Sequence, residues 1–171
     1  HLAGHIYANA IEHEMKFPAV ALLVSGGNTE LIYMKEHFSF EIIGETLDDA
    51  VGEAYDKVAR VVGLPYPGGP KLDKMAQEGN PHAFKLPEAK VDGYNFSFSG
   101  KKTAVINYIH SLEQKNLPIP KEDICASFEK WVVDDLVNKT IQVALDKNYN
   151  KIVLAGGVSA NKLLRKTMQT N

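Results

Sequence analysis

Three pairs of adjacent glycines stand where the backbone of this chain could approach a ligand. Gly26-Gly27 and Gly156-Gly157 each follow a short apolar run, residues 19–24 and 152–155, and Gly68-Gly69 lies between two prolines. Because glycine has no Cβ, its N–H groups can come close to a phosphate, and a helix that follows presents its positive end to the anion. One such pair is more often an ordinary tight turn. Three in one chain favour a cleft that binds a phosphate or a nucleoside.

Two histidines near the start of the sequence form a second candidate site. His1 and His5 are one helical turn apart on the same face of a predicted helix that runs to about residue 14. Neutral imidazoles suit zinc or iron, which would need at least one further ligand, commonly a carboxylate. The same spacing also arises by chance on an exposed helix. A zinc protease helix carries Glu directly after its first histidine, and Leu2 stands at that place here.

The elements that must position these residues alternate between strands and helices. Residues 19–24 and 30–34 predict an antiparallel hairpin around the first glycine pair, residues 38–43 a third strand, and residues 152–155 a buried strand. Thr46 predicts the N-cap of a helix, with Asp49 three residues later as in a capping box. That order of elements indicates an α/β fold.

The helix that follows Thr46 leads into the second glycine pair. Its predicted buried stripe runs from Leu47 to Val61, and Asp56 lies near its end, where a carboxylate is well placed to accept hydrogen bonds from ribose hydroxyls. Residues 71–77 predict a short helix that carries Asp73.

The rest of the chain predicts one loop, one ambiguous segment and two helices. Residues 78–94 predict a loop, and residues 95–103 favour a half-buried strand over a substrate-edge loop. A helix from Thr103 to about residue 112 follows. After a proline turn at residues 117–120, a long amphipathic helix is predicted with Trp131 in the core.

Composition limits the class of protein. With 171 residues, 44% of them apolar, the chain can build one sizeable core, and no apolar run approaches the roughly 20 residues of a membrane span. The net charge of −2 gives no global basic surface for nucleic acid. Cys125 predicts a small buried side chain rather than a disulfide. Because the sequence opens on His1 and stops within a helical pattern, we expect a fragment of a longer intracellular protein.

Six ordered motifs together resemble one family, the TsaD family of tRNA N6-adenosine threonylcarbamoyltransferases, most closely its bacterial members. The motifs are His1-x-x-x-His5, Val24-Ser25-Gly26-Gly27-Asn28-Thr29, Asp48-Asp49-Ala50-x-Gly52-Glu53-Ala54-x-Asp56-Lys57, Tyr66-Pro67-Gly68-Gly69-Pro70, Phe96-Ser97-Phe98-Ser99-Gly100 and Gly156-Gly157-Val158-Ser159-Ala160-Asn161.

The resemblance implies a fold and an activity. The fold is that of actin-like/Hsp70-like ATPases (ASKHA, ribonuclease-H-like), incomplete here at both ends. We expect residues 1–62 to belong to the first lobe and residues 63–171 to the second. The implied reaction transfers a threonylcarbamoyl group from threonylcarbamoyl-adenylate to N6 of adenosine 37 in tRNAs that read codons beginning with A. We expect the isolated fragment to be inactive.

The resemblance also implies site residues, a cofactor and partners. One divalent metal ion, Fe2+ or Zn2+, would be bound by His1 and His5, with a third, aspartate ligand beyond residue 171. The implied partners are tRNA, a TsaB-like paralogue and a TsaE-like ATPase subunit, in the cytoplasm. Asn28 and Lys101 depart from the family pattern, where His and Leu are common. The implied substrate- or nucleotide-binding residues are Leu23, Val24, Ser25, Gly26, Gly27, Asp56, Gly69, Asp73 and Asn161.

Three other functions stay open at this point. The histidine spacing allows a metalloprotease, which peptide hydrolysis under zinc would reveal. The fold class also contains small-molecule kinases, which would phosphorylate a sugar or acetate without tRNA. A third possibility is that the segment serves only as an assembly module for partner subunits.

Overall fold

A computed structural model describes residues 19–24, 27, 29–36, 39–88, 91, 93–147 and 152–155. Their elements are four strands and four helices in the order of the α/β prediction. They are β1 (Ala19–Val24), β2 (Thr29–Glu36), β3 (Ser39–Glu45), α1 (Val51–Val61), α2 (Gly68–Ala76), α3 (Ser99–Gln114), α4 (Lys121–Asp146) and β4 (Ile152–Ala155).

The strands form one mixed sheet in the order β3-β2-β1-β4. β1 and β2 pair antiparallel, which confirms the predicted hairpin, and β1 pairs parallel with β4 in a register that sets Leu23 opposite Ala155. The carboxyl ends of β1 and β4 therefore lie side by side. In α/β sheets, ligands bind beyond such carboxyl ends.

β1 is the centre of the packing because both of its faces are covered. All six of its side chains are buried, as the unbroken apolar run Ala19–Val24 predicts for a strand enclosed on both sides. Val20, Leu22 and Val24 join a core that contains residues of all four helices, and Ala21 belongs to a smaller cluster on the opposite face. This main core contains residues from both sides of position 62. The lobe boundary predicted at that position stays a prediction.

α1 begins four residues later than the sequence predicts. Thr46 is not its N-cap: its N–H donates to the Thr29 carbonyl (3.0 Å) and it forms a bridge with Phe96, so it continues the strand. Leu47, predicted to be buried, is 60% exposed. The cap comes instead from the hydroxyl of Thr29, which accepts a hydrogen bond from Val51 N–H at 2.9 Å. The start of β2 is thereby tied to the start of α1.

The segment before α3 was predicted to be a half-buried strand, and this holds only at its start. Phe96 makes a single bridge with Thr46, and α3 begins at Ser99 rather than Thr103. A lysine of α4 contacts this segment: Lys139 donates to the Asn95 carbonyl, and its ammonium lies 5.4 Å from the centre of the Phe96 ring. The long helix predicted after residue 120 is confirmed as α4, with Cys125 buried.

Candidate functional site

Asp56 links α1 to the glycine pair at the start of α2. Its Oδ1 accepts hydrogen bonds from Gly68 N–H (3.1 Å) and Gly69 N–H (3.2 Å). These amides have no partner within α2, and a carboxylate is favoured at the positive end of a helix. Within the described part of the chain, the second oxygen of Asp56 has no hydrogen-bond partner. One oxygen of Asp56 thus fixes the helix start.

The two glycines of this pair have different roles. A Cβ on Gly68 would lie 2.4 Å from the Cβ of Ala59, so Gly68 is required by the close packing of α2 on α1. Among the described residues, a Cβ on Gly69 would meet nothing within 4 Å, so none of their atoms fills the space there. The family resemblance implies that Gly69 contacts a ligand, and this stays a prediction. The packing role of Gly68 was missed, because two adjacent glycines carry no signal that separates them.

Asp73 lies one turn beyond Gly69 on the same face of α2. Its side chain is 9% exposed, and Oδ1 is buried with no hydrogen-bond partner among the described residues. A buried acceptor without a donor costs roughly 1–3 kcal/mol, and more when it belongs to a charged group. Such an atom calls for a donor from a ligand, from water or from another part of the chain.

The end of β1 contributes backbone rather than side chains. Leu23 and Val24 are both buried, so only their main-chain groups are available to a ligand. Among the described residues, no atom lies within 4 Å of the place that a Cβ on Gly27 would occupy. The Thr29–Val51 hydrogen bond ties the start of β2 to α1, and Asp56 follows Val51 by five residues, about 7.5 Å along the helix axis.

Several predicted site residues lie outside the described residues. These are His1, His5, Ser25, Gly26, Gly157 and Asn161. The shared crevice predicted for Gly26, Gly69 and Gly157 therefore stays a prediction. In the part of the chain that the structure describes, no group of three or more His, Cys, Asp or Glu side chains could hold a metal ion.

Asp48 is a further positioning residue that the sequence did not reveal. Its Oδ1 accepts from Phe98 N–H (2.9 Å) and Ser99 N–H (3.3 Å), so it caps α3. Partial burial raises the pKa of Asp48, but the hydrogen bonds from Ser97, Phe98 and Ser99 outweigh burial and lower the pKa below its usual value. In the sequence, Asp48 stood out only as part of the Asp48-Asp49 motif, which did not indicate that it caps α3.

Its neighbour Asp49 lies between two ammonium groups, with Lys102 Nζ at 2.5 Å and Lys57 Nζ at 3.1 Å. Burial raises the pKa of Asp49, and the two lysines lower it by more. Because Lys57 lies on α1 and Lys102 on α3, the pair of aspartates ties the two helices to one loop.

Solved structures share this architecture. Full-length HypF in its phosphate- and nucleotide-bound form superposes with a TM-score of 0.75 at 16% identity, covering 98% of this chain and 37% of that one. The activator of 2-hydroxyisocaproyl-CoA dehydratase from Clostridium difficile with bound ADPNP gives a TM-score of 0.55 at 14% identity over 98% of this chain and 56% of that one. The fold is thus the predicted α/β, ATPase-like one.

The family within this class follows from the sequence matches. The family model for TsaD, tRNA N6-adenosine threonylcarbamoyltransferase, matches residues 1–171, and the chain belongs to that family. The tRNA N6-adenosine threonylcarbamoyltransferase of Bacillus subtilis (strain 168) is 57% identical over 171 residues, which are 99% of this chain and 49% of the relative. The chain spans about half the length of the curated relatives it matches. The predicted family is confirmed.

None of the described helices is long and apolar enough to cross a membrane.

Proposed function

We propose that the complete protein transfers the threonylcarbamoyl group from threonylcarbamoyl-adenylate to N6 of adenosine 37 in tRNAs that read codons beginning with A. Membership of the TsaD family over residues 1–171 supports this reaction. The structural observation that carries the substrate site is the buried, unpartnered oxygen of Asp73 one turn from the open backbone at Gly69.

The proposed substrate site uses backbone amides and carboxylates for different parts of the adenylate. The stretch from Leu23 to Gly27 would offer main-chain N–H groups to the phosphate, as glycine turns after strands do. Asp73 and the free oxygen of Asp56 would accept hydrogen bonds from ribose hydroxyls. Gly69 would allow close approach of the ligand, and Asn161 would add an amide.

Positioning is the main catalytic contribution expected of these residues. Attack by the exocyclic amine of an adenine needs the two substrates held in the right orientation more than it needs a strong base. Fixing both reactants in one site removes much of the entropic barrier to a bimolecular reaction. The hydrogen bonds from Gly68 and Gly69 to Asp56 keep one wall of that site rigid before the substrate arrives.

We further propose that His1 and His5 provide two ligands of one divalent metal ion, Fe2+ or Zn2+. A bound metal supplies Lewis-acid polarisation of a carbonyl group. The finer partner assignments belong to the same proposal: a TsaB-like paralogue and a TsaE-like ATPase subunit, acting with tRNA in the cytoplasm.

The proposal is tested by mass spectrometry of tRNA nucleosides after depletion of the complete protein. We expect threonylcarbamoyladenosine to disappear, and to return with the wild-type protein and with Glu78→Ala, a matched exposed carboxylate just beyond α2. Asp73→Ala and the nearly isosteric Asp73→Asn should fail to restore it while staying folded by circular dichroism. An unchanged level of the modified nucleoside after depletion would show the proposed reaction to be wrong.

A further inference from the structure

The connection between α1 and α2 holds one aromatic side chain out into solvent. Tyr66 is 82% exposed, the largest exposed fraction among the large hydrophobic residues that the structure describes. Leu64, two residues earlier, is partly buried against the core and donates its N–H to the Ala59 carbonyl at 2.8 Å. The segment therefore packs Leu64 against the core and exposes Tyr66 to solvent.

The backbone that carries Tyr66 is restricted on both sides. Pro65 and Pro67 have fixed φ angles, and each proline also limits the residue before it. The segment is anchored at its far end as well, where Gly68 N–H binds Asp56. A tyrosine held in this way loses little conformational entropy when it binds a flat partner.

Two exposed lysines follow Tyr66 on α2. Lys71 and Lys74 are three residues apart and share one face of the helix. Within the described residues, neither ammonium forms an ion pair with a carboxylate. Asp73, the only carboxylate on the helix, is buried. The exposed charged side chains of α2 are thus both cationic, although the chain as a whole carries a net charge of −2.

We propose that Tyr66, Lys71 and Lys74 form a surface that binds single-stranded RNA, namely the loop of the acceptor tRNA. An exposed aromatic ring beside cationic side chains is the arrangement that binds single strands, since the ring stacks on a base and the lysines meet phosphates. A protein partner fits less well, because protein interfaces are depleted in lysine. Tyr66 is three residues from Gly69, so a base stacked on it would arrive beside the substrate site. The inference rests on the proposed function.

Binding of an anticodon stem-loop RNA to the complete protein, followed by fluorescence anisotropy at several salt concentrations, tests this surface. Tyr66→Ala should weaken binding by roughly 5- to 150-fold, as expected for the stacking of one base, and Tyr66→Phe should retain it. The double variant Lys71→Ala/Lys74→Ala should reduce the slope of log K against log salt by roughly 1.4. Lys115→Ala, an exposed lysine at the end of α3, is the matched control and should change neither value.

The outcomes separate this surface from the proposed reaction. Suppose that the wild-type protein binds the RNA and performs the transfer, and that Tyr66→Ala binds the RNA with the same affinity. The proposed RNA surface would then be wrong, and the proposed reaction would stand. A raised KM for threonylcarbamoyl-adenylate with unchanged RNA affinity would mean that the ring stacks on the donor, which also overturns it. A wild-type protein that binds no tRNA and leaves its nucleosides unmodified would overturn both the surface and the reaction.

Discussion

Lys101 Nζ lies 2.6 Å from a carboxylate oxygen of Asp135, which joins the first turn of α3 to the middle of α4. The lysine side chain is 1% exposed, and within the described residues its ammonium has no hydrogen bond of good geometry. Among the described residues, the ion pair with Asp135 is therefore the only contact that compensates the buried charge. Asp135 is 34% exposed, so the two partners depend on each other unequally.

This inequality predicts which partner is harder to remove. Asp135→Ala leaves an unpaired buried ammonium and should lower the free energy of unfolding by on the order of 3 kcal/mol, the lower end of the range for a broken buried pair. Lys101→Leu leaves only a partly solvated carboxylate and should have a smaller effect. The double variant should recover most of the stability lost in Asp135→Ala, because an apolar pair of similar volume replaces a buried ion pair well. Urea unfolding of the four proteins measures this, and equal losses in the two single variants would contradict it.

The glycine pair at the start of α2 gives a matched comparison. Gly68→Ala places a Cβ 2.4 Å from that of Ala59 and should lower the free energy of unfolding by about 1–3 kcal/mol, the usual range for overpacking. Gly69→Ala meets open space and should leave stability unchanged or slightly raised, since Ala is the better helix former. If Gly69 approaches the substrate as proposed, the same variant should lose transfer activity. Thermal unfolding and a transfer assay on both variants test this, and a stable Gly68→Ala would contradict the packing.

Asp48 predicts a dependence of stability on acid pH. Because its folded pKa is lowered, its contribution to stability is fully present above the ordinary aspartate pKa of about 3.9 and is lost as pH falls through the folded value. The difference in unfolding free energy between the wild-type protein and Asp48→Ala should be constant near pH 6–7 and shrink below about pH 4. Glu113→Ala, an exposed carboxylate near the end of α3, is the control. A difference that stays constant down to pH 3 would contradict the role of the Asp48 charge.

The strands and the long helix could be predicted because their signals are local. The apolar run of β1, the run Leu31-Ile32-Tyr33-Met34 of β2 and the helical period of α4 lie within the elements themselves. The helix starts could not be read in the same way, because the side chains that accept from their first amides are distant in sequence. α1 depends on Thr29, 22 positions from Val51, and α3 depends on Asp48, 50 positions from Phe98. A local capping pattern at Thr46 therefore gave the wrong start for α1.

For the candidate site, the sequence identified residues but not their contacts. The family motifs selected Asp56, Gly69 and Asp73, but they gave no sign that Asp56 caps α2 or that Asp73 keeps an oxygen without a partner. Those properties depend on how α2 packs on α1, and sequence motifs do not describe the packing of one helix on another.

Asp56 should therefore have separable effects on stability and on substrate binding. Asp56→Ala removes the acceptor for two helix amides and should lower the free energy of unfolding by about 1 kcal/mol, as the loss of a helix cap does. Asp56→Asn keeps one acceptor oxygen and should preserve most of that stability. If the second oxygen binds ribose hydroxyls as proposed, the asparagine variant should still raise the KM for the adenylate, since its amide can present only one oxygen. Glu53→Ala, on the exposed side of α1, should change neither property. Asp56→Asn with an unchanged KM would restrict Asp56 to its role as a cap, and urea midpoints together with KM values distinguish the two results.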